Sequence, residues 1–154
     1  MLTKNTVLSW LRNHPVATIA TLSADNKPKM SVVYTFVDTD YQCYFVTKET
    51  TIKYQNLRKN SAISLSWCDQ KNLTKCEVNG VAHLVQSGEE VVAAITHLQK
   101  IMINQKAEYW TPPVGQIEGT QYIIFRVVPS QVTYADYSAA TKLDSKPQRL
   151  EFSP

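Results

Sequence analysis

Two periodicities divide this chain into strands and helices. Residues 16–22, 30–37, 42–47, 62–67, 75–85, 121–128 and 131–134 are short runs rich in β-branched and aromatic residues. Most alternate apolar with polar or small positions, the two-residue period of a strand. Dense turn formers at 23–28 and the Asp38-Thr39-Asp40 triplet separate the early runs and predict hairpins. Gly80, inside an otherwise continuous run, predicts a bulge or bend.

Three segments carry the helical period instead. Residues 5–13 place Val7, Leu8, Trp10 and Leu11 on one stripe, with Thr3 or Asn5 to cap the start and Pro15 to end it. Residues 50–59 are polar, with Ile52, Tyr54 or Gln55, and Leu57 at helical spacing. From Ser87 a longer helix begins. Ser87-Gly88-Glu89-Glu90 has the form of a capping box, with the Glu90 side chain reaching back to the Ser87 amide. Val91, Val92, Ala94, Ile95, Leu98, Ile101 and Met102 supply its apolar face. Prolines 112 and 113 stiffen a loop at 109–113. The chain from 139 onward is polar and is expected to be loosely held.

Six or seven hairpin-connected strands, a leading helix and one long late helix do not form a βα alternation. Neither a GxGxxG nor a P-loop sequence is present. The pattern predicts a mainly β (α+β) fold, a six- to seven-stranded antiparallel barrel with flanking helices. At 154 residues the chain is read as one domain, 1–154, with its core at about 15–136 and a polar tail at 139–154.

Composition narrows the partners. With 44% hydrophobic and 19% charged residues the chain is expected to fold rather than stay disordered. A net charge of +3, scattered along the sequence, suits a small anionic ligand and gives no basic stripe for nucleic acid. No apolar run reaches membrane-spanning length and no signal-type segment opens the chain, so no membrane is expected and a cytoplasmic location is. Cys43, Cys68 and Cys76 form no CxxC pair and, with His83, match no compact zinc spacing, so no metal is expected. His14 is read as a helix-end residue bonding carbonyls, His83 as structural, and His97 as a surface or interface residue.

The candidate chemistry gathers after the second hairpin. Thr50 and Thr51 sit at the start of the short polar helix, Lys53 in its first turn, and Thr47 at the end of the preceding strand. Unpaired amides and the partial positive charge of a helix start, joined by hydroxyls and a lysine, form a phosphate seat. Lys29 opens an earlier strand and could serve the same face. The residues alone leave a second reading open, in which Thr50 merely caps the helix and the lysines are solvated.

The order strand, hairpin, T-x-x-x-[ST]-x-K, an Asn-Leu helix end and the strand NSAISLSW resembles the FMN-binding split β-barrel family typified by pyridoxamine 5′-phosphate oxidase. The resemblance spans about 15–134, and PVGQIEGTQYIIFRVVP is similar to the family's last core strand. It implies an FMN-binding homodimer with the cofactor at the subunit interface. Thr51 and Lys53 would contact the phosphate and Lys29 would add a basic contact. Met30, Ser31 and Val32 would line the flavin ring with their backbone, Thr47 would stand near the ribityl chain or phosphate, and Lys75 and Trp110 would approach the partner's flavin. Ile52 stands where the oxidases carry arginine, Tyr34 where they place a lysine for substrate phosphate, and Lys75 where they have glutamine. Their Arg-x-His motif has no counterpart at 134–140. The implied function is therefore a flavin-dependent oxidoreductase for a small aromatic or heterocyclic substrate rather than pyridoxamine phosphate oxidation. The alternatives are a non-catalytic flavin-binding or stress-related protein, or a deazaflavin- or haem-binding member of the same fold.

Overall fold

A computed structural model describes residues 1–104, 122–141 and 146–154. Helix α1 (Lys4–Asn13) leads into β1 (Val16–Leu22), β2 (Pro28–Val37) and β3 (Cys43–Lys48). Helix α2 (Ile52–Lys59) follows, then β4 (Ala62–Asp69), β5 (Thr74–Leu84) and α3 (Gly88–Asn104). Strand β6 (Tyr122–Asp136), a 3₁₀ turn (Ser138–Thr141) and β7 (Gln148–Phe152) complete the described chain.

All strands pair antiparallel in the order β3-β2-β1-β4-β5-β6-β7, and β3 also pairs with β6. Strands β1 to β6 thus close a six-stranded barrel, and β7 is an added seventh strand. Closure gives every barrel strand a neighbour on both sides over at least part of its length, which shortens the edges that an open sheet would expose. The inward residues of each strand, among them Ile19, Phe45, Leu65, Trp67, Val78, Phe125 and Val127, form one buried cluster.

Local chemistry sets the helix ends. Thr3 caps α1, accepting from Thr6 N at 3.2 Å while Thr6 Oγ1 accepts from Thr3 N at 2.8 Å, so Thr3 rather than Asn5 starts the helix. Ser87 Oγ accepts from Glu90 N at 3.4 Å, as a cap should. The Glu90 carboxylate is engaged elsewhere, by Arg126 Nη1 at 3.2 Å, and so ties α3 to β6. Helix α3 covers the outside of the barrel through Ala94 and Leu98, which pack with Tyr34, Val85 and Ile124 in a second apolar cluster. Val92, expected on that face, is exposed because the buried stripe is narrower than its apolar residues.

Two expectations at the chain's end are corrected. The runs 121–128 and 131–134 are one strand, β6, and not two. Its register against β5 shifts where Gly80 faces Pro129 and Asn79 faces Gln131. The extra residue is therefore Ser130, on the strand opposite Gly80, and its hydroxyl donates to Asn79 O at 3.0 Å. The tail, moreover, is not simply loose: 148–152 pairs with the second half of β6, because β3 occupies only Tyr122–Val127 of that strand. Leu150 and Phe152 seat β7 on the core. The loop at 109–113, including Trp110, lies outside the described residues.

Gly80 is fixed by close approach. A Cβ added there would lie 2.3 Å from Val128 O, a backbone atom that cannot swing away. Gly80→Ala is expected to lower unfolding free energy by roughly 1–3 kcal/mol, the scale of core overpacking. Urea midpoints measure it; an unchanged midpoint would show that the two strands can separate at the bulge without loss.

Candidate functional site

The site is built around the start of α2. Thr51 is its N-cap: Thr51 Oγ1 accepts from Tyr54 N at 3.4 Å and donates to Lys48 O at 2.8 Å. With that proton spent, Thr47 is the donor in the 2.8 Å contact between the two threonine hydroxyls. Both protons are therefore committed within the cap, and Thr47 is buried. Thr50 is exposed in the turn just before it. The amides of Ile52 and Lys53, as the first two of the helix, have no intrahelical acceptor, and the Lys53 side chain beside them is half-buried. Burial holds the Lys53 pKa below the usual lysine range. Ile52, between them, is exposed.

Lys29 reaches this corner through the strands. It pairs directly with Thr21 across β1 and β2, and opposed residues of an antiparallel pair share a face. Thr21 in turn accepts a hydrogen bond from Asn56 Nδ2 at 3.0 Å, and both residues are buried. Asn56 and Lys53 are three apart on α2 and so are surface neighbours. The two lysines thus flank one bridge between α2 and β1. Thr21 and Asn56 were not among the sequence candidates, and at a separation of 35 residues no local signal marks the pairing.

Strand β2 supplies a second element. Thr35 N donates to Pro15 O, which directs the backbone groups of Thr35, and by alternation those of Val33, Ser31 and Lys29, toward β1. The amides and carbonyls of Met30 and Val32 therefore point the other way. On that side β3 pairs only with Thr35–Val37, so the edge from Met30 to Val32 has no strand partner among the described residues. The side chains of Met30 and Val32 are exposed on the outer sheet face, and Ser31 faces inward opposite Ile19. A shallow hollow of about 280 Å³ lies there, lined by Thr18, Ala20, Met30, Ser64 and Glu77 among others.

Lys75 stands apart. It is on β5 opposite Cys68 and forms an ion pair with Glu77 at 2.9 Å, which raises its pKa. Five residues of β4, roughly 17 Å at strand rise, separate Cys68 from Ile63, the partner of Thr21. Within one chain Lys75 and the α2 corner are therefore remote.

The histidines belong to other environments. His14 stacks on Trp10 at 3.9 Å, with Nδ1 2.7 Å from Trp10 O and Nε2 3.1 Å from Asp69 Oδ2. His97 leans on Phe36 at 4.6 Å, and His83 is exposed opposite Arg126. The cysteines are free; burial pushes the Cys76 thiol up to about 12 and that of Cys43 higher still, while Cys68 is exposed. No cluster of three or more metal-ligating side chains occurs among the described residues. No helix among them is long and apolar enough to cross a membrane.

A larger cleft of about 530 Å³ opens beside His14, Asp69 and Lys71, at the barrel end away from α2. Asp69 organises it, accepting from Asn72 Nδ2 at 2.6 Å and from the Asn72 and Lys71 amides at 3.1 Å each. Asn72 first, then His14, holds the Asp69 carboxyl at about 2. Because the folded value lies below the unfolded one, near 3.9, this stabilisation is complete above about pH 4 and lost as pH falls toward 2. Melting temperature should therefore drop over that window, and Asp69→Asn should be less stable at neutral pH with a shallower acid limb. An unchanged acid limb would remove Asp69 from the account.

Comparison with known proteins places the chain. The family model for pyridoxamine 5′-phosphate oxidase matches residues 3–134. A conserved hypothetical protein of Mycobacterium tuberculosis has the same fold at TM-score 0.75 and 19% identity, covering 95% of this chain and 92% of that one. A pyridoxamine 5′-phosphate oxidase-related, FMN-binding protein of Nostoc punctiforme gives TM-score 0.65 at 12% identity, covering 98% and 96%. A haem-binding protein of Mycobacterium smegmatis gives 0.69 at 12% identity, covering 99% of this chain and 59% of that one. No match is found among curated protein sequences. The chain belongs to the pyridoxamine 5′-phosphate oxidase family.

Proposed function

We propose that this family member binds FMN at the α2 corner and acts, as a homodimer, as a flavin-dependent oxidoreductase on a small aromatic or heterocyclic substrate. The observation that carries the reading is the juxtaposition of two donor sets. The first-turn amides of Ile52 and Lys53, with Lys53 and Lys29, suit a phosphate. The β2 edge at Met30 and Val32, without a strand partner among the described residues, suits a flat heterocycle that has its own donors and acceptors. An unpaired edge is otherwise a liability that proteins cover, and a flavin ring would satisfy it.

Bound flavin supplies the redox chemistry, passing electrons between a donor and the substrate. The chain's part is to hold and orient. Lys53, desolvated by its own burial, neutralises phosphate charge, and the Thr47–Thr51 cap keeps the amides aimed at it. Exposed Met30 and Val32 and the small residues around them leave a shallow face that a second copy of the chain would cover. Lys75 and Trp110 belong to this proposal as groups reaching the partner's cofactor, since Lys75 is remote from its own. The exposed Ile52 and the buried Tyr34 supply neither of the cations that the oxidases use, which sets the substrate apart from pyridoxamine phosphate.

Purified protein tests the reading. Flavin absorption near about 450 nm, or stoichiometric quenching of added FMN, is the expected result, with sedimentation giving a dimer. A protein that takes up no FMN refutes it. A Soret band would assign haem, and preferential uptake of a deazaflavin would assign that cofactor. Turnover with NADH or NADPH separates an enzyme from a passive flavin carrier.

A further inference from the structure

We infer that the buried Thr21–Asn56 hydrogen bond is the positioning element of the phosphate clamp, an inference that rests on the FMN reading above. Asn56 Nδ2 donates to Thr21 Oγ1 at 3.0 Å, joining residues 35 apart in sequence. Asn56 is 6% and Thr21 2% exposed, so water does not compete for the bond. Its place in the fold is specific. Thr21 lies directly across from Lys29, and Asn56 lies one turn after Lys53. Apolar packing of Leu57 and Tyr54 holds α2 against the barrel but leaves its rotation loosely set, because such contacts are not directional. A hydrogen bond is directional. It fixes the face of α2 that looks toward Lys29, and hence the angle at which the Ile52 and Lys53 amides and the Lys53 ammonium meet a phosphate. A leucine pair would anchor the helix as well, without fixing that angle.

The test compares FMN with riboflavin, which lacks the phosphate, on Thr21→Val and Thr21→Ser. Valine keeps the shape and the strand preference but offers Asn56 no acceptor. The expected result is about a tenfold loss of FMN affinity in T21V, the effect of misplacing one charge-assisted hydrogen bond. Riboflavin affinity should stay within about twofold, and T21S should recover FMN binding. If T21V does not fold, Thr21→Ala removes the same hydroxyl and carries the same comparison. Equal weakening of both flavins would overturn the inference, since it would mean general damage to the barrel. Wild-type affinity for FMN in the variant would overturn it too. Failure of the wild-type protein to bind FMN would instead sink the reading on which it rests.

Discussion

Lys53→Ala is expected to weaken FMN binding by about 1.5–3 kcal/mol, the worth of a hydrogen bond to a charged group. That is about a 10- to 150-fold rise in Kd. The upper part of the range is favoured because burial already depresses the Lys53 pKa. Its charge is partly desolvated before any ligand arrives, so a phosphate finds a cation with less water to displace. Binding should not vanish, because the amides of Ile52 and Lys53 remain. Lys59→Ala, exposed in the last turn of the same helix, should change little. Fluorescence titration with FMN and riboflavin reads both variants. Lys53→Ala binding FMN as tightly as wild type would place the phosphate elsewhere.

The largest stability loss is expected at Trp67. Its ring is fully buried in the barrel, and its Nε1 donates to the buried Thr35 Oγ1 at 3.3 Å. Trp67→Ala should cost about 3–5 kcal/mol, from lost transfer energy and the cavity that rigid strands cannot close. It also leaves Thr35 without that donor. For a domain of this size such a loss is a large share of total stability, so a soluble variant should show a urea midpoint far below wild type. Trp67→Phe, which keeps most of the volume and loses only the donor, should lie between them. A Trp67→Ala midpoint near wild type would mean that the barrel collapses around the gap.

The strands were legible because each barrel strand has one buried face, and a two-residue period records that directly. Val16–Leu22 was readable to the residue for this reason, bounded by Pro15 and a turn. The helix starts were legible because caps are local: Thr3, Thr51 and Ser87 each act within three residues of themselves. What failed to show was non-local. The bulge residue Ser130 depends on a register set by β5, and the pairing of β7 depends on which half of β6 the barrel leaves free. Glu90 could satisfy a capping box by sequence, but Arg126, 36 residues away, offered a charged partner instead.

The candidate site divides along the same line. Periodicity and turn chemistry alone put Thr47, Thr51 and Lys53 around a helix start, and charge alone suggested an anion. They could not say that the threonine hydroxyls spend their protons on the cap, that Lys29 comes to the same corner through Thr21 and Asn56, or that Lys75 stays at the far end of the barrel. They also could not show that β3 stops short of Met30 and leaves that edge of β2 without a strand partner among the described residues. Local hydrogen bonds and apolar alternation act over a few residues, so the sequence determines them by itself. Which distant strands meet, and in what register, is decided only when the barrel closes, because closure fixes many weak pairings at once.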